Sequence, residues 1–394
     1  MDINKVNTKV VEFCPCCNNA MRAVINLPMF PLTEFYEECD DTVFENKGFL
    51  DQNLLFCDSC CHASLEKIID VDYIYSDTNY LTTTAGSLGA IQCLDNFYEF
   101  IKSNTKNLNF KNIIDVGGND GYLLNLFPDN HTKINIDPNA KKAEGIIDFK
   151  MFFEKLNFDV LNKFDNKLIV SSHTFEHVSD PVKLIGEISN LLKNDEMFIM
   201  QLPSIEKLVE HKKYEQLTHQ HLNYFSKNSI YKVFGSFGLE VNDIEYDENH
   251  FGTIRVAATK KDAIKVQTQK FDHITFEEIE KSFEQYKIYM NVINESIKSS
   301  KAIYGFGAGL MVPVLSYFLP ALKNLTCIYD ENEFKQGKRF INLNVPITDL
   351  PKKQDLSLQD IVITSVTTRS AARSIFKKLI DLKAKNIILP TIFL

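Results

Sequence analysis

An apolar run that ends in an acid and then breaks into glycines constrains this chain more than any other feature. Ile113-Ile114-Asp115-Val116 leads into Gly117-Gly118-Asn119-Asp120-Gly121 and back to Tyr122-Leu123-Leu124. The pattern predicts a buried strand, a tight turn and a helix start. Glycine at such a turn lets the backbone approach a ligand, because no Cβ stands in the way. The spacing G-G-x-x-G is not the dinucleotide fingerprint G-x-G-x-x-G, and no Lys-Ser/Thr pair follows as in a phosphate loop. Further apolar runs at 133–138, 167–172 and 196–203 alternate with helical segments, one of them before the turn at 90–105. That alternation predicts an α/β fold with a mostly parallel sheet. A second strand-to-glycine turn, Gly305-Phe306-Gly307-Ala308-Gly309, opens residues 301–394, with further strands expected at 327–330, 360–364 and 386–390. At 394 residues the chain is long enough for two or three domains.

The N-terminal segment has a different composition. Seven of the nine cysteines lie before residue 62. Cys14/Cys17 and Cys57/Cys60 form two C-x-x-C pairs, which together offer four thiolates to a tetrahedral zinc. Cys16, Cys61 and His62 are neighbours that a shift of register would bring in. A site closed by four thiolates is structural and not catalytic.

The formal net charge of −9 argues against a nucleic-acid partner held through its phosphates. No apolar run of about 18 residues is present, so no membrane span is expected. The opening MDINKVNTKVVEFCPCC lacks a basic region followed by an apolar core, and the expected compartment is the cytoplasm.

Two histidine-rich stretches carry candidate chemistry. His173-Thr174-Phe175-Glu176-His177-Val178-Ser179-Asp180-Pro181 follows the 167–172 run. Its H-x-x-E-H spacing differs from the zinc-protease H-E-x-x-H, whose Glu directly follows the first His, so Glu176 and His177 are read as loop-positioning residues. Asp137 ends a strand about twenty residues after the glycine turn, where α/β nucleoside sites place an acid on the ribose hydroxyls. Tyr214-Glu215-Gln216-Leu217-Thr218-His219-Gln220-His221-Leu222-Asn223-Tyr224-Phe225-Ser226 is the second stretch.

The glycine turn resembles motif I of the class I S-adenosylmethionine (SAM) methyltransferases, and the 173–181 run is similar to their H-x-x-E-H-V-x-D-P after the fourth strand. The 214–226 stretch resembles the H-E-H-L-x-Y-F/Y-S signature of the zinc-containing sugar C-methyltransferases, typified by deoxysugar C-3'-methyltransferases. The paired cysteine knuckles, Asp72-Tyr73-Ile74-Tyr75-Ser76, Gly118-Asn119-Asp120-Gly121 and His250-Phe251-Gly252-Thr253-Ile254-Arg255-Val256 match the same family in the same order.

The resemblance implies a small zinc-binding domain (1–80), a central Rossmann-like class I SAM-methyltransferase domain (81–265), a connecting helix (266–300) and a C-terminal Rossmann-like domain (301–394) for the nucleotide end of a sugar substrate. SAM would lie against Asp115, Gly117, Gly118, Asn119, Asp120, Gly121, Asp137, His173, Glu176 and His177, leaving as S-adenosylhomocysteine. The implied reaction removes a proton beside a keto group of a nucleotide-linked sugar, and the enolate takes the SAM methyl. His221 is expected as the base, with Gln220, His219 and Tyr75 (or Tyr73) around the reacting centre. Gln220 stands where the family has Glu and Thr218 where a tyrosine is common; the chain has no Trp, so the family's Trp-Asn pair is absent at 363–367. A glutamine can hydrogen-bond but cannot offset an imidazolium by charge. O- or N-methylation on the same scaffold therefore stays open, as does a non-catalytic module binding a nucleotide sugar or NAD. The expected assembly is a monomer or a homodimer.

Overall fold

The computed structural model describes residues 7–39, 43–74, 88–248, 250, 252–261, 273–350, 356–365 and 369–391. Tyr75, Ser76 and the 82–87 part of the predicted linker lie outside the described residues.

The centre is a seven-stranded sheet in the order Leu239–Asp247, Thr253–Lys260, Met197–Pro203, Lys167–Ser172, Asn112–Val116, Thr132–Ile136, Ile146–Phe149. Five strands run parallel. Thr253–Lys260 runs antiparallel to both of its neighbours. The chain leaves Asn112–Val116 toward one edge and returns on its other side with Lys167–Ser172. The crevice above the carboxyl ends of these two strands is therefore a topological switch point, where open α/β sheets bind their ligands. Side chains of successive residues alternate between faces. Ile114 and Val116 pack with Ile134, Ile136 and Ile169 against the helices Pro181–Leu191 and Lys227–Ser236. Ile113 packs with Leu168, Val170 and Ile199 under the helix Leu88–Thr105, through Phe97, Phe100 and Ile101. Burial on both faces explains why these strands are continuous apolar runs.

The C-terminal sheet is also parallel, in the order Ile347–Thr348, Ile328–Tyr329, Ile303–Phe306, Asp360–Ile363, Asn386–Ile388. The N-terminal sheet is antiparallel, with Arg22–Pro31 beside Phe49–Phe56 and then Ala63–Leu65. Its fourth strand is Asn223–Tyr224, from the second histidine stretch.

The linear division into domains does not describe how these sheets are joined. One hydrophobic cluster runs from Leu27, Phe30 and Leu54, through Phe283, Tyr286 and Met290, to Val312, Ile328 and Val362. Residues 266–300 are expected to act as a connector. Their helix, Phe276–Lys298, starts at a capping box between Thr275 and Glu278 and buries its apolar face between the two outer sheets. Tyr36–Glu38 also pairs with Lys338–Phe340, tying the N-terminal segment to the C-terminal one. No helix among the described residues is long and apolar enough to cross a membrane.

Candidate functional site

The glycine turn is held by close packing beneath it. Gly117 has φ +82° and its N–H donates to Ile136 O at 2.9 Å. A Cβ there would lie 2.0 Å from Thr174 Oγ1, and one on Gly118 would lie 2.4 Å from Asn135 Oδ1 and 2.8 Å from Asp115 Oδ2. Only glycine fits both positions. Asp115 is 1% exposed and its Oδ1 has no hydrogen-bond partner among the described residues. Burial, with Asp137 adding to it, pushes the Asp115 carboxyl up to about 8. A cation placed over the turn would meet a carboxyl that lacks a counter-charge.

Asp137 closes the turn from the next strand. Its oxygens accept the N–H groups of Asn119 (3.0 Å) and Asn139 (2.7 Å). Burial raises its pKa and these two bonds oppose the shift. Asp120 Oδ1 accepts from Tyr122 N at 3.3 Å, and Gly121 is the left-handed cap of the helix Tyr122–Leu126. Asn135, which its sequence position does not mark out, donates to Asn119 O and Asp148.

On the other side of the crevice, the 173–178 loop is laced to the second histidine stretch. Leu222 N donates to Glu176 O at 2.6 Å, and Asn223 Nδ2 to Val178 O at 2.6 Å. His177 Nδ1 lies 2.9 Å from Gln220 O, a carbonyl that can only accept, so Nδ1 carries the proton. The rings of His177 and His221 meet edge-on with centroids 4.9 Å apart. One ligand atom each from Glu176, His177 and His221 lies within 4.8 Å of the others.

Glu176 is 1% exposed and pairs through Oε1 with His173 Nδ1 at 3.0 Å. Burial works to raise its pKa, but the His173 bond and the neighbouring His177 and His221 hold it down at about 2. For His173, burial works downward, while the Cys93 sulfur at 3.7 Å and Glu176 push it up to about 10. Burial and His177 press His221 down to about 3, with Glu176 opposing. Its lone pair is therefore unprotonated near neutral pH, and the buried carboxylate is the group that would stabilise its cation.

Gln220 and His219 face elsewhere. Gln220 Oε1 accepts from Thr33 Oγ1 and its Nε2 donates to Glu34, both at 3.3 Å. His219 Nε2 donates to Phe30 O at 3.1 Å, and its Nδ1 faces Gln52 Nε2 at 3.4 Å. It is 1% exposed and sits where the N-terminal sheet meets the loop. Tyr73 stacks on Phe35, with centroids 5.5 Å apart.

Cys14, Cys17, Cys57 and Cys60 converge, with Cys14 Sγ 3.5 Å from Cys60 Sγ and Cys17 Sγ 3.4 Å from Cys57 Sγ. Cys61 Sγ instead accepts from Asn228, and His62 Nε2 lies on Asn223 Oδ1, so neither belongs to this group. The strand Asn223–Tyr224 pairs with Ser64 and Ala63, just past the second knuckle, and Ser226 Oγ donates to Cys60 O. The cysteine cluster thus braces the loop that carries His221.

Residues 93–244 match a methyltransferase domain family. The C-methyltransferase NovU of Streptomyces niveus is 23% identical over 215 residues. That alignment covers 52% of this chain and 50% of the relative, so it spans about half of each. Among solved structures, the 1,6-didemethyltoxoflavin-N1-methyltransferase of Burkholderia thailandensis aligns over 58% of this chain and 100% of that one, at 11% identity and TM-score 0.40. Magnesium protoporphyrin IX methyltransferase of Synechocystis aligns over 44% and 84%, at 15% identity and TM-score 0.36. The strand order, with its single reversed strand, and the family match make the centre of this chain a class I SAM-dependent methyltransferase domain.

Proposed function

We propose that the chain transfers the SAM methyl group to a carbon beside a keto group of a nucleotide-linked sugar, with His221 taking the proton. The observation that carries this reading is the buried Glu176 carboxylate beside the His221 and His177 rings, at the carboxyl end of Lys167–Ser172. Proton abstraction needs a base whose cation is stabilised, and Glu176 supplies the charge that Gln220 cannot. The similarity to a C-methyltransferase supports carbon as the acceptor atom. The sugar rests on the sequence resemblance.

When bound, SAM supplies the methyl group and leaves as S-adenosylhomocysteine. The residues present suit it. Asp115 Oδ1 needs a partner that an ammonium group would provide, Gly117 and Gly118 let the turn pack directly onto Thr174, Asn135 and Asp115, and Asp137 ends the second strand. His221 would take the acceptor proton, and the 173–178 loop would hold Glu176 in place to receive that charge. Four thiolates in this packing suit a structural zinc at Cys14, Cys17, Cys57 and Cys60, which takes no part in the reaction.

Mass spectrometry of products formed from SAM and a panel of keto-sugar nucleotides tests the reading. A product heavier by one methyl is expected, together with SAM-independent wash-in of solvent deuterium that His221→Ala abolishes. Methylation with no deuterium wash-in would move the transfer to oxygen or nitrogen, a reading that Gln220 also permits. SAM binding weakened more than about tenfold by Asp137→Asn is expected in either case.

A further inference from the structure

We propose that Glu176, His177 and His221 form a binding site for a divalent transition-metal ion, separate from the cysteine cluster. The spacing of the 173–177 run alone does not suggest it, because the third ligand comes from 44 residues further along the chain. Folding brings in His221 in place of His173, and the three donor atoms then lie within 4.8 Å of one another. Ligands held by a single ion at about 2.0–2.2 Å lie at most about 4.4 Å apart, so a shift of no more than a few tenths of an ångström closes the three donors on one.

Three features of the cluster point to a cation. Glu176 Oε2 is buried in a residue 1% exposed and has no hydrogen-bond partner among the described residues. His221 Nδ1 is buried in the same condition. Leaving such groups unmatched costs about 1–3 kcal/mol each, so the cluster favours whatever satisfies both. His177 donates its Nδ1 proton to the Gln220 carbonyl, which leaves Nε2 as the nitrogen that can ligate. A backbone carbonyl on the far nitrogen is the usual outer partner of a metal-bound imidazole. His173 does the same service for the carboxylate, fixing Oε1 at 3.0 Å and leaving Oε2 for the ion. The loops are tied together by Leu222 N on Glu176 O and by the Asn223 side-chain amide on Val178 O, so the ligands are held near their places before any ion arrives.

Two imidazoles and one carboxylate suit nickel, cobalt, zinc or ferrous iron over magnesium or calcium. The site does not depend on the identity of the acceptor. One consequence does rest on the reading above: a ligated His221 nitrogen cannot also take a proton, so the ion would inhibit proton abstraction.

The test uses the full chain with zinc in its cysteine cluster, titrated with Ni2+ by calorimetry and followed by visible absorption. One further equivalent per chain is expected, weakened at least tenfold in His177→Ala, His221→Ala and Glu176→Gln. Each variant is checked by circular dichroism and by its melting temperature, so that loss of fold is recognised. Cys93, His173 and His250 form a second three-ligand group nearby, and His250→Ala serves as the control. Absence of a further equivalent, or binding lost in His250→Ala but kept in His221→Ala and His177→Ala, overturns the proposal. Binding with the expected variant pattern and no effect on deuterium wash-in upholds the site and removes His221 as the base.

Discussion

Acid should weaken this fold through its buried histidines, and His219 gives the clearest case. Burial lowers it to about 4 from 6.5, the Phe30 carbonyl opposing. The folded chain then binds fewer protons than the unfolded chain between these two values, so stability falls as pH drops from 6.5 toward 4 and is level above 6.5. The upper bound for this one residue is about 3 kcal/mol. His221, at about 3, adds to the same slope, and Glu176 extends it, its contribution being present above 4.5 and lost as pH falls toward 2. Urea midpoints at pH 7 and pH 4.5 check this: the decline should be shallower in His219→Asn than in the parent chain. At the chemical step, His221→Ala should cut turnover by about a hundredfold or more while leaving SAM affinity intact, measured by steady-state kinetics and calorimetry. The sequence shows which residue types are available at the site, but not which of them meet. Glu176 is visible as part of a run, yet its place beside His221 depends on two loops laced across the crevice. Glu34, which receives the Gln220 amide, has no local pattern that marks it.

The elements that were legible are those buried on both faces. The strands Asn112–Val116 and Lys167–Ser172 are uninterrupted apolar runs, and their ends fall where the apolar residues stop. Leu88–Thr105 declares itself through helical spacing. The antiparallel pair Arg22–Pro31 and Phe49–Phe56 was not legible, because its ladder shifts register twice and its apolar residues do not alternate cleanly. A sequence also cannot show that Asn223–Tyr224 completes a sheet by pairing with Ala63–Leu65, about 160 residues earlier. Two predictions belong at this scale. Gly117→Ala forces both a left-handed alanine and a clash with Thr174, and should lower stability by about 2 kcal/mol or more and remove SAM binding. Adding Thr174→Gly should restore part of the melting temperature, since it clears the atoms that the new Cβ meets. Cys57→Ser should abolish zinc binding at the proposed four-cysteine site and loosen the His221 loop, read as loss of zinc stoichiometry and faster amide exchange at Leu65, whose N–H donates to Leu222 O.

Across the whole molecule, the two outer sheets share one interior, while the central sheet packs in clusters of its own. The cluster that joins Phe30, Tyr286 and Ile328 runs unbroken from one outer sheet to the other. The clasp between Tyr36–Glu38 and Lys338–Phe340 fastens the outer sheets on another side. Arg339, 6% exposed, donates to Glu37 at 2.9 Å and to Asn344 at 3.0 Å. Glu37 is partly exposed and also meets Lys47, which screens the loss, so Arg339→Ala should cost about 2 kcal/mol in chemical denaturation. The length of that clasp sets a timetable for synthesis. Arg339 lies 302 residues beyond its partner Glu37. At about 5–20 residues per second, the early strand emerges from the ribosome roughly 15–60 seconds before the strand that covers it. For that interval the newborn segment carries an open edge and a half-lined apolar face. A nascent chain of this kind is one that holding chaperones should bind early and release late.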